Sequence, residues 1–517
     1  MTEQLQSGST RMSAREVWTL AVVCSAVAMV VGAAAALNTA LPVMAVETGA
    51  TQNELTWIVD GYTLCLAALL LPAGALGDRY GRRGVLLIGL AVVAVSSAAP
   101  IWLDSPQWLI GMRALAGVGA ALVMPATLSL VTATFPAEHR TRAVTIWSSI
   151  VAVGGIGGLI GSGLLLEKWS WQSIFVAFAA VAVVLFVLSW TVPPSREQSP
   201  PPFDIPGALL AVVAVGLFVL GMLEAPIRGW TDPLALTAIL AGSVCAVAFV
   251  LVELRRDAPL LDMNLFRNRA FGAGATSIAF QFLATFALFF LISQYTQLVL
   301  GYSPLQSGLA LAPMALPLLA ATIAIPWLLP RVGLRWLTFT GLALSGVGLF
   351  ALSFLDAEDG YLTAALTLLV FSTGLGLCAA PATTAIVDNT PDEQQGVASA
   401  VNDATREIGA AVGIALAGSL LAATYGHSIA PAVEALPDAA KEPVGSSLAA
   451  ALEVSKLAGP QGEQLADFAR SAFMDGMSDA AHVLGVIVIV AAGVAAVYAP
   501  RRRRTPETTD EPAFVND

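Results

Sequence analysis

Charge is scarce in this sequence. Of its 517 residues, 12% are Asp, Glu, Lys or Arg, roughly half of the 25% typical of soluble domains. Histidine occurs three times and cysteine four times. All four cysteines (Cys24, Cys65, Cys245 and Cys378) fall inside apolar runs, where isolated thiols pack as small hydrophobes, so no disulfide is expected. No His/Cys cluster has metal-ligand spacing, no nucleophile–base pairing stands out and no GxxxxGK[ST] loop occurs, so no metal, no cofactor, no enzymatic role and no ATP machinery are expected. A disordered chain, a nucleic-acid binder and a disulfide-stapled secreted scaffold are excluded by the same composition.

What the chain has in quantity is apolar surface: 57% hydrophobic residues and a mean hydropathy of +0.77. That is the composition of a polytopic membrane protein. A spanning helix needs about 20 mostly apolar residues, and fourteen such runs are present: 18–41, 56–76, 85–101, 108–133, 143–166, 173–192, 205–223, 234–253, 271–299, 305–329, 337–355, 361–386, 397–422 and 479–498. The first is too long for a cleavable signal peptide and leads straight into the second.

Positive loops stay cytoplasmic. With the N-terminus inside, Arg79, Arg82, Arg83, Arg140, Arg142, Arg196, Arg255, Arg256, Arg267, Arg269, Arg331, Arg335 and Arg501 to Arg504 share one side, and Lys168, Arg228, Lys441, Lys456 and Arg470 the other. An even number of spans returns the C-terminus to the cytoplasm, where the Arg501–Arg504 run belongs. The expected organisation is a cytoplasmic tail (1–17), a six-helix half (18–192), a Pro-rich cytoplasmic linker (193–204), two inserted helices (205–253), a cytoplasmic loop (254–270), a second six-helix half (271–500) and a basic, then disordered, tail (501–517). The stretch 423–478, rich in Glu and Asp, reads as a long extracytoplasmic loop with helix-like patches such as 462–474.

An internal repeat supports the two halves. Gly154, Gly158 and Gly163 of helix 5 recur as Gly409, Gly413 and Gly418 in helix 13, and Asp78-Arg79-Tyr80-Gly81-Arg82-Arg83 is echoed by Pro330-Arg331-Val332-Gly333-Leu334-Arg335. Such repeats mark secondary transporters, whose sites lie at the interface of the halves near the midplane. The glycine stripes clear one side of each helix for close approach by another, and rocking of the halves would use such a seam.

The loop after helix 2 reads Gly74-Ala75-Leu76-Gly77-Asp78-Arg79-Tyr80-Gly81-Arg82-Arg83. Its glycines permit a tight turn, Asp78 can face a neighbouring helix N-terminus, and the arginines suit carboxylates or lipid phosphates. The plainer reading is a positive-inside loop, but basic residues alone would not need this order. Ionisable residues inside the membrane are costly and are functional candidates by default. They are Asp60 in the outer third of helix 2, Arg113 at similar depth in helix 4, and Asp403, Arg406 and Glu407 in helix 13. Glu224 and Glu253 sit near helix ends and can snorkel. Asp403 and Glu407, four apart, share a helix face, and Glu407 falls roughly 15 Å deep. A desolvated carboxyl there can hold a proton or release it to a cation. Two structural readings compete: Arg406 bridging Asp403, and Asp60 with Arg113 as a buried pair locking helices 2 and 4. Phe280, Phe282, Phe286, Phe289 and Phe290 read as packing or lipid-facing, Trp57 and Trp147 as cavity lining or interface anchors, and neither His139 nor His427 as a proton relay.

On these residues the chain resembles the major facilitator superfamily. Gly74 to Arg83 looks like its signature between helices 2 and 3, Arg113, Gly117, Gly119 and Ala120 resemble its second motif, and helix 5 resembles the antiporter motif of the drug exporters. Fourteen helices, Trp57-Ile58-Val59-Asp60, Met124-Pro125-Ala126-Thr127 and the stretch from Asp262 to Phe266 look like the fourteen-helix drug:proton antiporters of the quaternary-ammonium multidrug exporter type. The resemblance implies an all-α fold of two six-helix halves with two inserted helices. It also implies proton-coupled export of small amphipathic, cationic or neutral compounds by a monomer in the cell membrane among lipids, with Asp60 and Arg113 tied to coupling and substrate response. The sequence departs from that pattern at Ala33, where the family has an Asp, at Leu159 and Ser162 in the antiporter motif, and at Leu318, where exporters of dicationic drugs carry an acid. Fewer carboxylates imply fewer protons per cycle, or monovalent or neutral cargo. Rival expectations are a dedicated exporter of a natural product or lipid, and a non-transporting sensor or assembly partner that binds through 423–478.

Overall fold

The computed structural model describes residues 12–102, 105–195, 202–357, 360–457 and 460–500; the centre of the Pro-rich linker and the tail from residue 501 lie outside them. Every regular element among the described residues is helical. Fourteen helices are long and apolar enough to cross a membrane: α1 (Ala14–Thr39), α2 (Glu54–Tyr80), α3 (Arg82–Ile101), α4 (Pro106–Thr134), α5 (Glu138–Leu166), α6 (Gln172–Ser189), α7 (Ile205–Arg228), α8 (Pro233–Glu253), α9 (Arg269–Val299), α10 (Leu305–Val332), α11 (Leu334–Leu352), α12 (Tyr361–Asp388), α13 (Asp392–Glu434) and α14 (Gly462–Tyr498).

Local chemistry sets the ends. Ser13 with Glu16 and Thr51 with Glu54 form capping boxes that satisfy orphan N–H groups before α1 and α2. Asp232 caps the first turn of α8 just ahead of a proline. Gly81 (φ +104°) and Gly333 (φ +84°) take up positive φ where α2 turns into α3 and α10 into α11, a conformation that L side chains resist. These two glycines are equivalent positions of the repeat.

The packing reproduces the repeat. In the first half α1 packs on α5, α2 on α4, and α3 on α4 and α6; in the second, α9 packs on α13, α10 on α12, and α11 on α12 and α14. The halves meet along two seams, α2 and α4 against α13, and α10 and α12 against α5. The inserted pair α7–α8 is not peripheral. Val219 and Met222 of α7 join Ala67 of α2 and Ala411 and Ala415 of α13 in one apolar cluster, so α7 lies across the first seam.

One expectation is corrected. The stretch 423–478 is not a loop, because α13 and α14 run on through it, joined by short helices at Asp438–Ser446 and Leu448–Leu457. With 43 residues at 1.5 Å each, α13 is roughly 65 Å long, about twice the hydrocarbon thickness. It therefore projects beyond the membrane at the end opposite the arginines. Buried Leu421, Tyr425 and Ile429 from α13, and Leu465, Ala469, Phe473 and Met477 from α14, form its core, and the Tyr425 hydroxyl donates to the Val444 carbonyl at 2.9 Å. The abundance of acids on its wet face made it read as a loop.

Candidate functional site

The seam between the halves holds the charged residues of α13. Asp403 is fully buried. Its Oδ1 accepts from Asn402 Nδ2 at 3.0 Å, while its Oδ2 has no hydrogen-bond partner. Arg406 does not bridge it, contrary to the structural reading of that pair. Its guanidinium lies 4.9 Å from the ring centroid of Trp147 on α5 and 5.0 Å from that of Phe282 on α9. These two rings hold it by cation–π attraction in a desolvated place, so Phe282 is not simple packing and Trp147, fully buried, is not an interface anchor. Arg406 Nη2 donates to Thr383 Oγ1 (3.2 Å) and the Thr383 hydroxyl donates to Asn402 Oδ1 (3.0 Å). The guanidinium and the carboxylate are thus joined through two neutral side chains, every donor pointing towards Asp403. Glu407 is half-buried and within electrostatic reach of Asp403, Arg406 and Tyr62.

Asp60 and Arg113 are not paired either. Arg113 is buried, donates from Nε to the Ile58 carbonyl at 3.1 Å and sits 4.2 Å over the Tyr62 ring. Ile58 and Tyr62 share a face of α2, whereas Asp60, two residues from each, points about 200° away. A side chain seated on Tyr62 cannot meet it, and the buried-lock reading is corrected accordingly. The Tyr62 hydroxyl donates to the Val30 carbonyl of α1 at 2.8 Å. Asp60 has no ion pair among the described residues; its charged neighbour is Glu224 of α7. Glu224 is buried and paired with Arg228, so it does not snorkel into water.

At the arginine-rich end Asp78 joins the halves. Its Oδ1 accepts from the Gly396 N–H (2.9 Å) and its Oδ2 from the Val397 N–H (3.1 Å), both in the first α-helical turn of α13, which follows a 3-10 turn and begins at Gln395, while Arg82 donates to Oδ1 from Nε (3.1 Å) and Nη2 (2.9 Å). A carboxylate at a helix N-terminus satisfies orphan donors and complements the macrodipole. Arg82 also reaches the Asp392 carbonyl at 3.1 Å. Arg83 donates to the Val192 carbonyl at 3.0 Å, and the Arg79 guanidinium lies 5.7 Å from the Tyr80 ring. Gly74 allows the contact, since a Cβ there would fall 2.3 Å from the Gly396 carbonyl oxygen. Gly77 meets nothing.

The glycine stripes serve contacts within each half, not mainly between halves. A Cβ on Gly158 would lie 2.3 Å from the Gly32 carbonyl oxygen and one on Gly154 3.2 Å from Ala28 Cα, both on α1. On the repeat's other side Gly409 and Gly413 would meet the carbonyl oxygens of Ala279 and Leu283 on α9 at 2.3 and 2.2 Å. Gly163 is the exception, lying against Leu305 of α10 across the seam, and Gly418 faces Phe290 and Pro226. At the departures from the family pattern, Ala33 and Leu318 are buried apolar positions, and the Ser162 hydroxyl meets that of Thr39 at 2.8 Å.

Thr383, Asn402 and Tyr62 went unremarked in the sequence. A signal for the first was present: Pro125-Ala126-Thr127 recurs as Pro381-Ala382-Thr383. The hydrogen bond from Trp147 Nε1 to Thr127 Oγ1 (3.1 Å) is the first half's counterpart of that between Thr383 and Asn402.

The sequence profile of the Major Facilitator Superfamily matches residues 23–414. The chain belongs to the Major Facilitator Superfamily. Among its curated relatives, the multidrug efflux pump LfrA of Mycolicibacterium smegmatis is 33% identical over 95% of this chain and 97% of that protein. The tetracenomycin C resistance and export protein of Streptomyces glaucescens is 30% identical (96% and 94%), and the methyl viologen resistance protein SmvA of Salmonella typhimurium is 30% identical (91% and 96%). Solved superfamily folds agree. A bacterial homologue of the human lysosomal transporter Spinster aligns with a TM-score of 0.60 at 18% identity, covering 96% of this chain and all of that one. The proton:xylose symporter XylE aligns with a TM-score of 0.58 at 13% identity, covering 94% and 96%. Superfamily membership and fourteen helices long enough to span make the chain a multi-pass membrane protein of a transporter family.

Proposed function

We propose that this transporter is a proton-coupled multidrug exporter, moving small amphipathic cationic or neutral compounds outward by alternating access. The observation that carries the reading is the pair Asp403 and Glu407 on one face of α13 in the seam, neither neutralised by Arg406, which is engaged by Trp147, Phe282 and Thr383. A carboxyl with an unsatisfied buried oxygen either binds a proton or accepts a cation, and cannot do both. Proton entry and cargo binding thereby exclude one another, as exchange requires. Tyr62, which holds Arg113 and lies within reach of Glu407, couples α2 and α4 to the charge state of α13. The Asp78 contact with Gly396 and Val397 acts as the latch that must open when the halves rock.

The energy source in this reading is the proton gradient, with no cofactor. One proton moving inward down 100 mV releases about 2.3 kcal/mol, enough for roughly a fifty-fold gradient of a neutral compound. The distribution of arginines supports a cell-membrane orientation with both termini cytoplasmic, and the protein works as a monomer among lipids. The names of the relatives, which describe multidrug efflux, tetracenomycin C resistance and export, and methyl viologen resistance, support the cargo class.

The test is drug-driven proton movement in proteoliposomes with an imposed pH gradient, comparing an ethidium-like cation with a neutral lipophile. Asp403→Asn and Glu407→Gln are expected to abolish coupled proton release. Wild-type behaviour of both variants would sink the assignment.

A further inference from the structure

The two halves differ at their equivalent loops. In the first, Asp78 and Arg82 hold the N-terminus of α13 and Arg83 reaches the carbonyl of Val192, beyond α6. In the second, Pro330 and Leu334 stand where Asp78 and Arg82 would be, so no such latch forms among the described residues, yet Arg331 and Arg335 keep the places of Arg79 and Arg83. A cavity of about 920 Å³ opens there, lined by Arg331, Arg335 and Trp336 of the α10–α11 turn, Thr384 and Asp388 of α12, and Pro500 beyond α14.

We infer that this cavity is a binding site for the phosphate-bearing headgroup of an anionic phospholipid. Three features fit. Thr384, 95% buried, has an unpartnered hydroxyl, and Arg335 Nε is buried without a partner, so two residues of the cavity lining carry unsatisfied donors. Asp388 has Arg140 as a charged neighbour, which leaves Arg331 and Arg335 to set the sign of the site. Pro381, Thr384, Ala385 and Asp388 lie on one face of α12 and span about 10 Å along it. The depth therefore runs from headgroup level into the upper acyl layer, with exposed Trp327 and Trp336 beside the mouth, as aromatic residues sit at a membrane interface. Basic pockets between spanning helices take lipid headgroups in this way.

The Arg331 guanidinium donates to the Trp327 carbonyl at 2.9 Å and lies over that ring; a lipid phosphate would share it rather than replace its partners. Arg335 lies 5.8 Å from the Trp336 ring centroid, and its Nε has no partner that a phosphate would have to displace.

The test is native mass spectrometry of the full chain, delipidated and then offered phosphatidylglycerol, phosphatidylethanolamine or inorganic phosphate. The expected result is selective retention of phosphatidylglycerol, reduced about tenfold in the Arg331→Gln/Arg335→Gln variant and restored by lysine at both positions. Arg267→Gln, an exposed arginine at the same end, should leave retention unchanged and controls for nonspecific charge loss. Undiminished retention in the double glutamine variant would overturn the site. So would preference for phosphatidylethanolamine, full competition by millimolar inorganic phosphate, or lipid binding that appears only after residues 505–517 are removed. None of these readouts depends on transport.

Discussion

Arg406 and Asp403 are within one turn of each other on α13 and do not touch: Thr383 and Asn402 stand between them, passing hydrogen bonds from guanidinium to carboxylate. A direct bridge would hold the acid permanently as an anion. The intermediates instead let the acid change its charge while the arginine stays between its two rings. Thr383→Val removes the shared hydroxyl and leaves two buried polar groups unpaired, at about 1–3 kcal/mol. The expected outcome is a lower Tm and lost coupling, with Thr383→Ser retaining both, read by thermal melting and by proton release in vesicles.

The glycine contacts predict a sharp positional contrast. Gly158→Ala and Gly413→Ala place a methyl 2.3 and 2.2 Å from carbonyl oxygens of α1 and α9. Backbone cannot yield cheaply, and overpacking of this kind costs roughly 1–3 kcal/mol or more. Gly157, one residue away from the first, meets nothing within 4 Å, so Gly157→Ala should be neutral or slightly stabilising. Equal melting temperatures for Gly157→Ala and Gly158→Ala would refute the seam.

Much of this was legible in the sequence because hydrophobic run length and glycine spacing are one-dimensional signals. The fourteen spans, the two halves and the partner type of Asp78 follow from them. What was not legible depends on direction around a helix axis between distant segments. That Arg113 chooses Tyr62 over Asp60, that Arg406 chooses Trp147 and Phe282 over Asp403, and that Glu224 comes to Asp60 are results of packing. The helical extension of α13 was masked for another reason: outside the bilayer its exposed face needs no apolar residues.

Asp78 makes a prediction about movement rather than folding. Asp78→Asn keeps one acceptor but turns an amide donor towards a backbone N–H, so one of the two α13 contacts is lost and Arg82 loses its counter-charge. Transport is expected to fall at least tenfold with the Tm lowered by only a few degrees, because one capping contact contributes about 0.5–2 kcal/mol. Unchanged transport would exclude a gating role.

Glu224 is delivered to Asp60 by the inserted helix α7. Glu224 is already paired with Arg228, so cargo drawn to Asp60 must compete with that arginine for Glu224, which a doubly charged cargo does better than a singly charged one. Glu224→Gln is therefore expected to lower transport of a methyl-viologen-like dication several-fold more than that of a monocation, and combined with Asp60→Asn the losses should be non-additive. Additive losses in the double-mutant cycle would separate the two residues.

The length of α13 has a mechanical meaning. The same rod carries Glu407 and, about 40 Å further along, its tip near Glu434. A tilt of ~10° about the acid pair would sweep that tip by about 7 Å, turning a small rearrangement in the dry interior into a displacement in open solvent. A fluorophore or antibody fragment fixed to this mast would report each protonation step from outside the bilayer, and one that clamped it would arrest the cycle without entering the pathway.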